Sequence, residues 1–174
     1  MFKNILLLYK KSAYKIYFLE RKGFVHGTNK SIIASQLKKF KRAHQEHYQT
    51  LKTVTQVLIE EKIKFSEYFR SQRINYGKYD LVITVGGDGT FLEAARNLHR
   101  QTVLGVNSAL SYITGSFCVA NKNNFKSIIR KILRGQFSYK YLQRLRMKFD
   151  HLKKPVDALN DILVCHENPA MMSR

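Results

Sequence analysis

The sequence predicts an α/β fold: an open, mostly parallel sheet with flanking helices, followed by the beginning of an incomplete β-rich second domain. Three observations predict it. Up to Gly135, strand-sized apolar runs alternate with amphipathic helical stretches. The run Asp80–Val85 (DLVITV) leads straight into the glycine-rich turn Gly86-Gly87-Asp88-Gly89-Thr90, the kind of strand end at which open α/β sheets meet ligands. After Gly135 the helical period is lost, and Tyr139–Phe149 (YKYLQRLRMKF) alternates bulky with basic residues, a pattern of antiparallel strands. The expected division is residues 1–136 as an α/β domain and 137–174 as the start of a β-rich one, truncated at Arg174.

Each element has a local reason. Asn4–Tyr9 (NILLLY) is a short apolar run bounded by lysines, so it reads as a buried first strand. Ser31 to about Lys62 contains no Gly or Pro. Its apolar positions Ile33, Leu37, Phe40, Ala43, Leu51, Val54, Val57 and Leu58 recur at helical spacing. Lys38, Lys39, Lys41 and Arg42 lie on the other face, which reads as a solvated face rather than a nucleic-acid stripe. Lys64–Phe69 alternates as a second strand, and Asp80–Val85 is rich in β-branched residues. Phe91–Leu98 places Leu92, Ala95 and Leu98 on one helical face, Thr102–Val106 is a further strand, and Phe125–Leu133 is an amphipathic helix closed by Gly135. Ala158–Val164 (ALNDILV) reads as a last strand.

The chain has 174 residues, 31 of them Lys or Arg against 12 Asp or Glu, for a net charge of +19. The excess is spread evenly: residues 1–70 carry 15 basic and 5 acidic side chains, residues 71–174 carry 16 and 7. Such a field favours anionic partners, among them nucleotides, nucleic acid and acidic membranes, without choosing between them. Hydrophobic residues at 44% exclude wholesale disorder. No apolar run is long enough to span a membrane, and Ile5–Leu8 is too short for the core of a secretory signal. Cys118 and Cys165 have no metal spacing, as in a reduced, cytoplasmic protein. His44 and His47 lie three apart on the long helix without an acid at ligand spacing and read as surface residues, so no metal site is expected.

The glycine-rich turn carries the chemistry. Glycines there allow positive φ and close backbone approach, and the following helix offers unpaired N–H groups to phosphate oxygens. Asp88 sits in the middle of this anion-binding turn, where an acid repels phosphate. It therefore serves either as a turn or cap residue, or as a base for a hydroxyl or a holder of phosphate-borne Mg²⁺.

Val85–Thr90 (VGGDGT) resembles the signature shared by NAD kinases, diacylglycerol-type lipid kinases and phosphofructokinases. The P-x-G-T-x-N-D and T-I-D-N-D-like segments of the latter two are missing. Leu104–Asn107 (LGVN) and Ala158–Asp161 (ALND) instead resemble the later NAD kinase signatures, in order and at similar spacing. The chain is most similar to the mitochondrial-type NAD kinases and their bacterial relatives. Lys10, Ser12 and Tyr14 resemble their K-x-[ST]-x-Y, Gly105–Ser108 their G-V-N-[ST], and Gly115 with Cys118 their G-x-x-C. Ala109-Leu110 stands where that branch has D-P, and the G-x-L-G-F run of the common bacterial branch is missing after Asn107.

The resemblance implies transfer of the γ-phosphate of ATP, with Mg²⁺, to the 2′-hydroxyl of the adenosine ribose of NAD. Asp88 matches the residue that activates this hydroxyl, and Gly86, Gly87, Gly89 and Thr90 match the phosphate-binding turn. Asn160 and Asp161 match the pair at the adenine and ribose side of NAD, and Asn107 a loop asparagine at the cleft. From the sequence alone, Asn107 also suits a strand-end turn and Asn160 a strand edge. Lys10, Lys11 and Arg146 are candidate phosphate contacts. The family also implies small-molecule nucleotides as partners and a homo-oligomer for the full-length protein. Two other readings stay open: a lipid or sugar kinase of the same superfamily, and a non-catalytic nucleotide- or nucleic-acid-binding protein. The dispersed charge and the lack of a stacking-aromatic motif argue against nucleic acid.

Overall fold

The structure, a computed structural model, describes residues 2–20, 30–111, 115–150 and 155–161. It divides into two compact units, Met1–Ser138 and Tyr139–Arg174.

The first unit is built on five parallel strands: β1 (Ile5–Tyr9), β2 (Phe65–Phe69), β3 (Leu81–Gly86), β4 (Thr102–Asn107) and β5 (Cys118–Asn121). They lie in the order β2-β1-β3-β4-β5. Three helices cover the sheet: α1 (Lys30–Glu60), α2 (Asp88–Arg96) and α3 (Phe125–Leu133). Burial on both faces explains why β1 and β3 are almost wholly apolar. Strand alternation sorts the core. Ile5, Leu7, Leu81, Ile83 and Val85 pack with Leu51, Val54, Val57 and Leu58 of α1 and with Phe125 and Ile129 of α3. Leu6, Leu8 and Val82 face the opposite way, against Ala94 of α2 and Leu98 just beyond it. The result is a three-layer α/β fold, as the sequence predicts.

Three elements escape the sequence reading, among them a short 3-10 turn at Tyr76–Lys78. Residues Lys15–Glu20 form a π-helical turn after β1, and β5 is a strand of only four residues, too short for alternation to register. Among the described side chains of α1, the C-terminal half reaches the core; Phe40 is exposed, as are Lys38, Lys39, Lys41 and Arg42. At the end of α3, Gly135 takes φ +71°, and the amides of Gly135 and Gln136 donate to Ile132 and Lys131 at 3.1 and 2.9 Å. This left-handed cap stops the helix where the sequence places its end.

In the second unit the expected long strands shorten. Tyr139–Phe149 contributes only β6 (Leu145–Met147), and β7 (Val156–Ala158) begins earlier than the expected Ala158–Val164. Residues 162–164 of that expected strand, residues 112–114 of the divergent loop, and Cys165 lie outside the described residues. The two strands pair antiparallel, as expected. Arg146 staples them with a two-pronged ion pair to Asp157, at 2.7 and 2.8 Å. That guanidinium, a candidate phosphate contact from the sequence, is committed to the hairpin.

Candidate functional site

In the order β2-β1-β3-β4-β5 the chain leaves β1 toward one sheet edge and β3 toward the other. The crevice between the C-terminal ends of β1 and β3 is the switch point at which such sheets bind ligands. Backbone hydrogen bonds gather four strand ends there. The Lys10 amide donates to Val85 at 3.3 Å, the Arg70 amide to Tyr9 at 2.8 Å, and the Ser108 amide to Gly86 at 2.9 Å.

The glycine-rich turn is partly helical. Helix α2 begins at Asp88, with Gly87 as its N-cap in an extended conformation (φ −117°, ψ −167°) and no side-chain cap. Asp88, Gly89 and Thr90 therefore form the first helical turn rather than a loop ahead of Phe91. The uncapped end leaves N–H groups for a ligand. The expected positive φ is not used: among the described glycines only Gly135 has it. Close approach is the reason for Gly86 instead. A Cβ there would stand 2.2 Å from Thr90 Oγ1 and 2.8 Å from Thr90 Cβ. Thr90 is buried, and its hydroxyl has no hydrogen-bond partner.

Asp88 is half-buried, and its carboxylate reaches across to the segment before β5. Oδ2 accepts the Ser116 amide at 2.9 Å and Oδ1 the Phe117 amide at 3.0 Å. Phe117 stacks on Phe91 of α2, with centroids 5.2 Å apart and planes 8° from parallel. The Cys118 thiol lies 4.0 Å from Oδ1, and burial, then the Asp88 charge, pushes it up to about 11. A carboxylate has about four lone-pair sites, so two amide donors leave room for a hydroxyl proton.

Lys10 lies at the end of β1, half-buried; burial, and then the neighbouring Arg70, lower its pKa. The Lys11 ammonium turns to Glu20 at 2.9 Å and lies over the Phe69 ring. Asn107 is buried, and its Oδ1 accepts the Ala109 amide at 3.0 Å, the turn-forming role that its strand-end position suggests. Asn160 and Asp161 follow β7 in the second unit and are exposed there.

The surface reading of the two histidines is corrected. His47 is 1% exposed, and its Nδ1 lies 2.8 Å from the Ser108 hydroxyl. His44 is half-buried and bonds the buried Ser12 hydroxyl at 2.7 Å. A signal was present: His47 stands four residues before Leu51, on the buried stripe of α1. Arg70 and Glu93, paired beside α2, are not singled out by the sequence, although Arg70 directly follows β2 and strand ends are where ligands bind.

Among the described residues no helix is long and apolar enough to cross a membrane, and no group of three acidic, His or Cys side chains could hold a metal ion.

Fold and site together define an open α/β domain that presents an uncapped, glycine-led helix N-terminus, a carboxylate and two cations at its switch point. Residues 13–137 match the ATP-NAD kinase N-terminal domain, and the chain belongs to the NAD kinase family. It is 36% identical to a probable NADH kinase of Oryza sativa, with 74% of this chain and 45% of that protein covered. It is 31% identical to the NAD kinase of Methanopyrus kandleri, over 68% of this chain and 43% of that one. Human NAD kinase 2, mitochondrial, is 36% identical over 39% of this chain and 16% of its own length. The chain spans less than half the length of these relatives.

Proposed function

We propose that this chain is part of an ATP-dependent NAD kinase, in which Asp88 takes the proton of the adenosine-ribose 2′-hydroxyl as its oxygen attacks the γ-phosphorus of ATP, giving NADP and ADP. The observation that carries the reading is the position of Asp88: the first residue of α2, at the switch point between β1 and β3. A ribose hydroxyl is a weak nucleophile, and a positioned carboxylate accepts its proton as the new bond forms. The turn Gly86, Gly87, Gly89 and Thr90 would hold phosphate through its helix-end amides, the Thr90 amide itself being taken by the Gly87 carbonyl at 2.9 Å, with Lys10 and Lys11 as nearby cations, and Asn107 at the cleft wall. Asn160 and Asp161 would read the adenine and ribose of NAD. Relatives named NAD kinase and NADH kinase support either redox form as acceptor.

Asp88 receives two amides and Glu93 an arginine, and among the described residues neither belongs to a group of three side chains that could hold a metal ion. Mg²⁺ fits the reading as part of MgATP, a substrate carried in on the phosphates. The same reading takes residues 1–136 as the nucleotide-binding domain and 137–174 as the start of a β-rich one, in a cytoplasmic protein that forms a homo-oligomer at full length.

The test is to incubate the protein with NAD or NADH and MgATP and assay NADP or NADPH. Product formation that falls by about 10²–10⁴-fold in Asp88→Asn is the expected result. No product from folded protein at the relatives' full length rejects the reading.

A further inference from the structure

The N-terminus of α2 is positive by its own dipole, yet a cation is placed beside it. Arg70 Nη1 lies only 3.7 Å from where a Cβ on Gly89 would stand. Lys10 is close enough to Arg70 for the two charges to oppose each other. Two acids stand nearby, Asp88 in the first turn of α2 and Glu93 one turn on. Asp88 is turned to the Ser116 and Phe117 amides. Glu93 takes only the Nε edge of Arg70 and, through its other oxygen, the Ser71 amide at 3.0 Å. Arg70 is thus gripped from behind, one helical turn along α2, while its side chain stays 38% exposed.

A guanidinium beside a helix N-terminus sits against like charge, and an anion between the two suits both. The fold nevertheless holds Arg70 there through Glu93 and through its own amide on Tyr9 at 2.8 Å. We propose that Arg70, held by Glu93 against Gly89 and assisted by Lys10, is a phosphate clamp for the terminal phosphate of the phosphoryl donor. A planar guanidinium whose Nε is already fixed presents its remaining N–H groups in a fork that matches two oxygens of one phosphate. A terminal phosphate, with three free oxygens and up to two charges, suits that fork better than the singly charged diester phosphates of NAD. Naming the anion as the donor's rests on the kinase reading above; the clamp itself rests on the placement of Arg70, Glu93 and Lys10.

The test is calorimetric affinity of the full chain for tripolyphosphate, ATP and NAD, with and without Arg70→Gln. Loss of one charge-assisted phosphate contact weakens tripolyphosphate and ATP by roughly 10–100-fold, with NAD affinity changing much less. Lys131→Gln, on α3, leaves all three unchanged. Unaltered tripolyphosphate affinity in folded Arg70→Gln overturns the clamp, as does an equal loss for NAD. Where Arg70→Gln does not fold, Arg70→Lys decides: it keeps the charge but not the fork, so wild-type affinity overturns the proposal and a several-fold loss supports it. The two readings fail separately. A chain that makes no NADP yet loses tripolyphosphate on Arg70→Gln keeps the clamp and loses the kinase. A chain that makes NADP with an unchanged KM for ATP in the variant does the reverse.

Discussion

His47 and Ser108 meet through a 2.8 Å hydrogen bond in the interior of the domain, 61 residues apart in sequence. The bond ties α1 to the end of β4, whose Ser108 amide in turn holds the carbonyl of Gly86 at 2.9 Å. Burial, and then nearby Lys10, bring His47 from 6.5 to about 4, so the folded protein keeps the ring neutral at pH 7. An unfolded histidine protonates near 6.5. The unfolded state therefore binds the extra proton first, and stability falls as pH drops from about 6.5 toward 4 and is fully present above that window. This single group accounts for up to about 3 kcal/mol of loss at the acid end. Urea unfolding of the wild type and His47→Gln at pH 7 and pH 4.5 checks it: the variant loses less on acidification. Equal losses in the two proteins contradict the assignment.

Asp88 is a structural tether as well as a candidate base. Its carboxylate is bonded to the amides of Ser116 and Phe117, and these position the strand that follows. Asp88→Ala leaves both amides without their acceptor, so their hydrogen-exchange protection drops while that of Leu81–Val85, in the sheet centre, is retained. Unchanged protection at residues 116 and 117 would remove the tether. The same variant thus reports on loop order independently of any assay for phosphate transfer.

The parts of the fold that could be read in advance are those where local and global signals agree. The runs Asn4–Tyr9 and Asp80–Val85 are apolar because both sheet faces are covered, and that continuous burial is visible in one dimension. The sequence places the N-terminus of α2 three residues late because Gly86-Gly87-Asp88-Gly89 reads as a turn by propensity, and glycine disfavours a helix. In the structure Gly89 is tolerated in the first helical turn, where Thr90 packs over Gly86. Asp88 and the turn could be singled out from chemistry, since an acid among phosphate-binding glycines needs a reason. Arg70, Glu93 and Ser108 could not be joined to it. They converge only through strand order, and no sequence pattern states that β1 lies between β2 and β3. His47 was misplaced for a related reason: its partner, Ser108, comes from a distant strand end.

Helix α3 is held to the sheet chiefly by two fully buried side chains, with Ile128 and Ile132 packed partly buried beside them. Phe125 and Ile129 are both 0% exposed and pack in the cluster with Val54, Leu58 and Leu104. The ion pairs Lys126–Glu60 and Arg130–Glu61, at 2.8 and 2.7 Å, lie on the surface, where such pairs contribute little. Phe125→Ala therefore costs about 3–5 kcal/mol, whereas Lys126→Gln costs at most about 1 kcal/mol. Chemical denaturation of the two variants separates core from surface. A larger loss for the lysine variant would reverse this account of how α3 is held.

Gly86 and Gly89, on either side of Asp88, differ in what they are for, and alanine at each separates folding from binding. At Gly86 a methyl would meet Thr90 Oγ1 at 2.2 Å and Thr90 Cβ at 2.8 Å, and Thr90 is buried with little room to move. Gly86→Ala is expected to destabilise by about 1–3 kcal/mol through overpacking, with a visible drop in Tm. At Gly89 the residue is exposed, and a methyl meets only Arg70 Nη1, at 3.7 Å, an ordinary contact. Alanine is the better helix former by roughly 1 kcal/mol, so Gly89→Ala leaves stability unchanged or slightly raised. The added methyl nevertheless stands between the guanidinium and the helix end that it serves. Tripolyphosphate affinity should therefore fall in Gly89→Ala while the Tm holds. A variant that melts early at position 89, or binds the anion as wild type does, would show that Arg70 and the helix terminus do not act on the same phosphate.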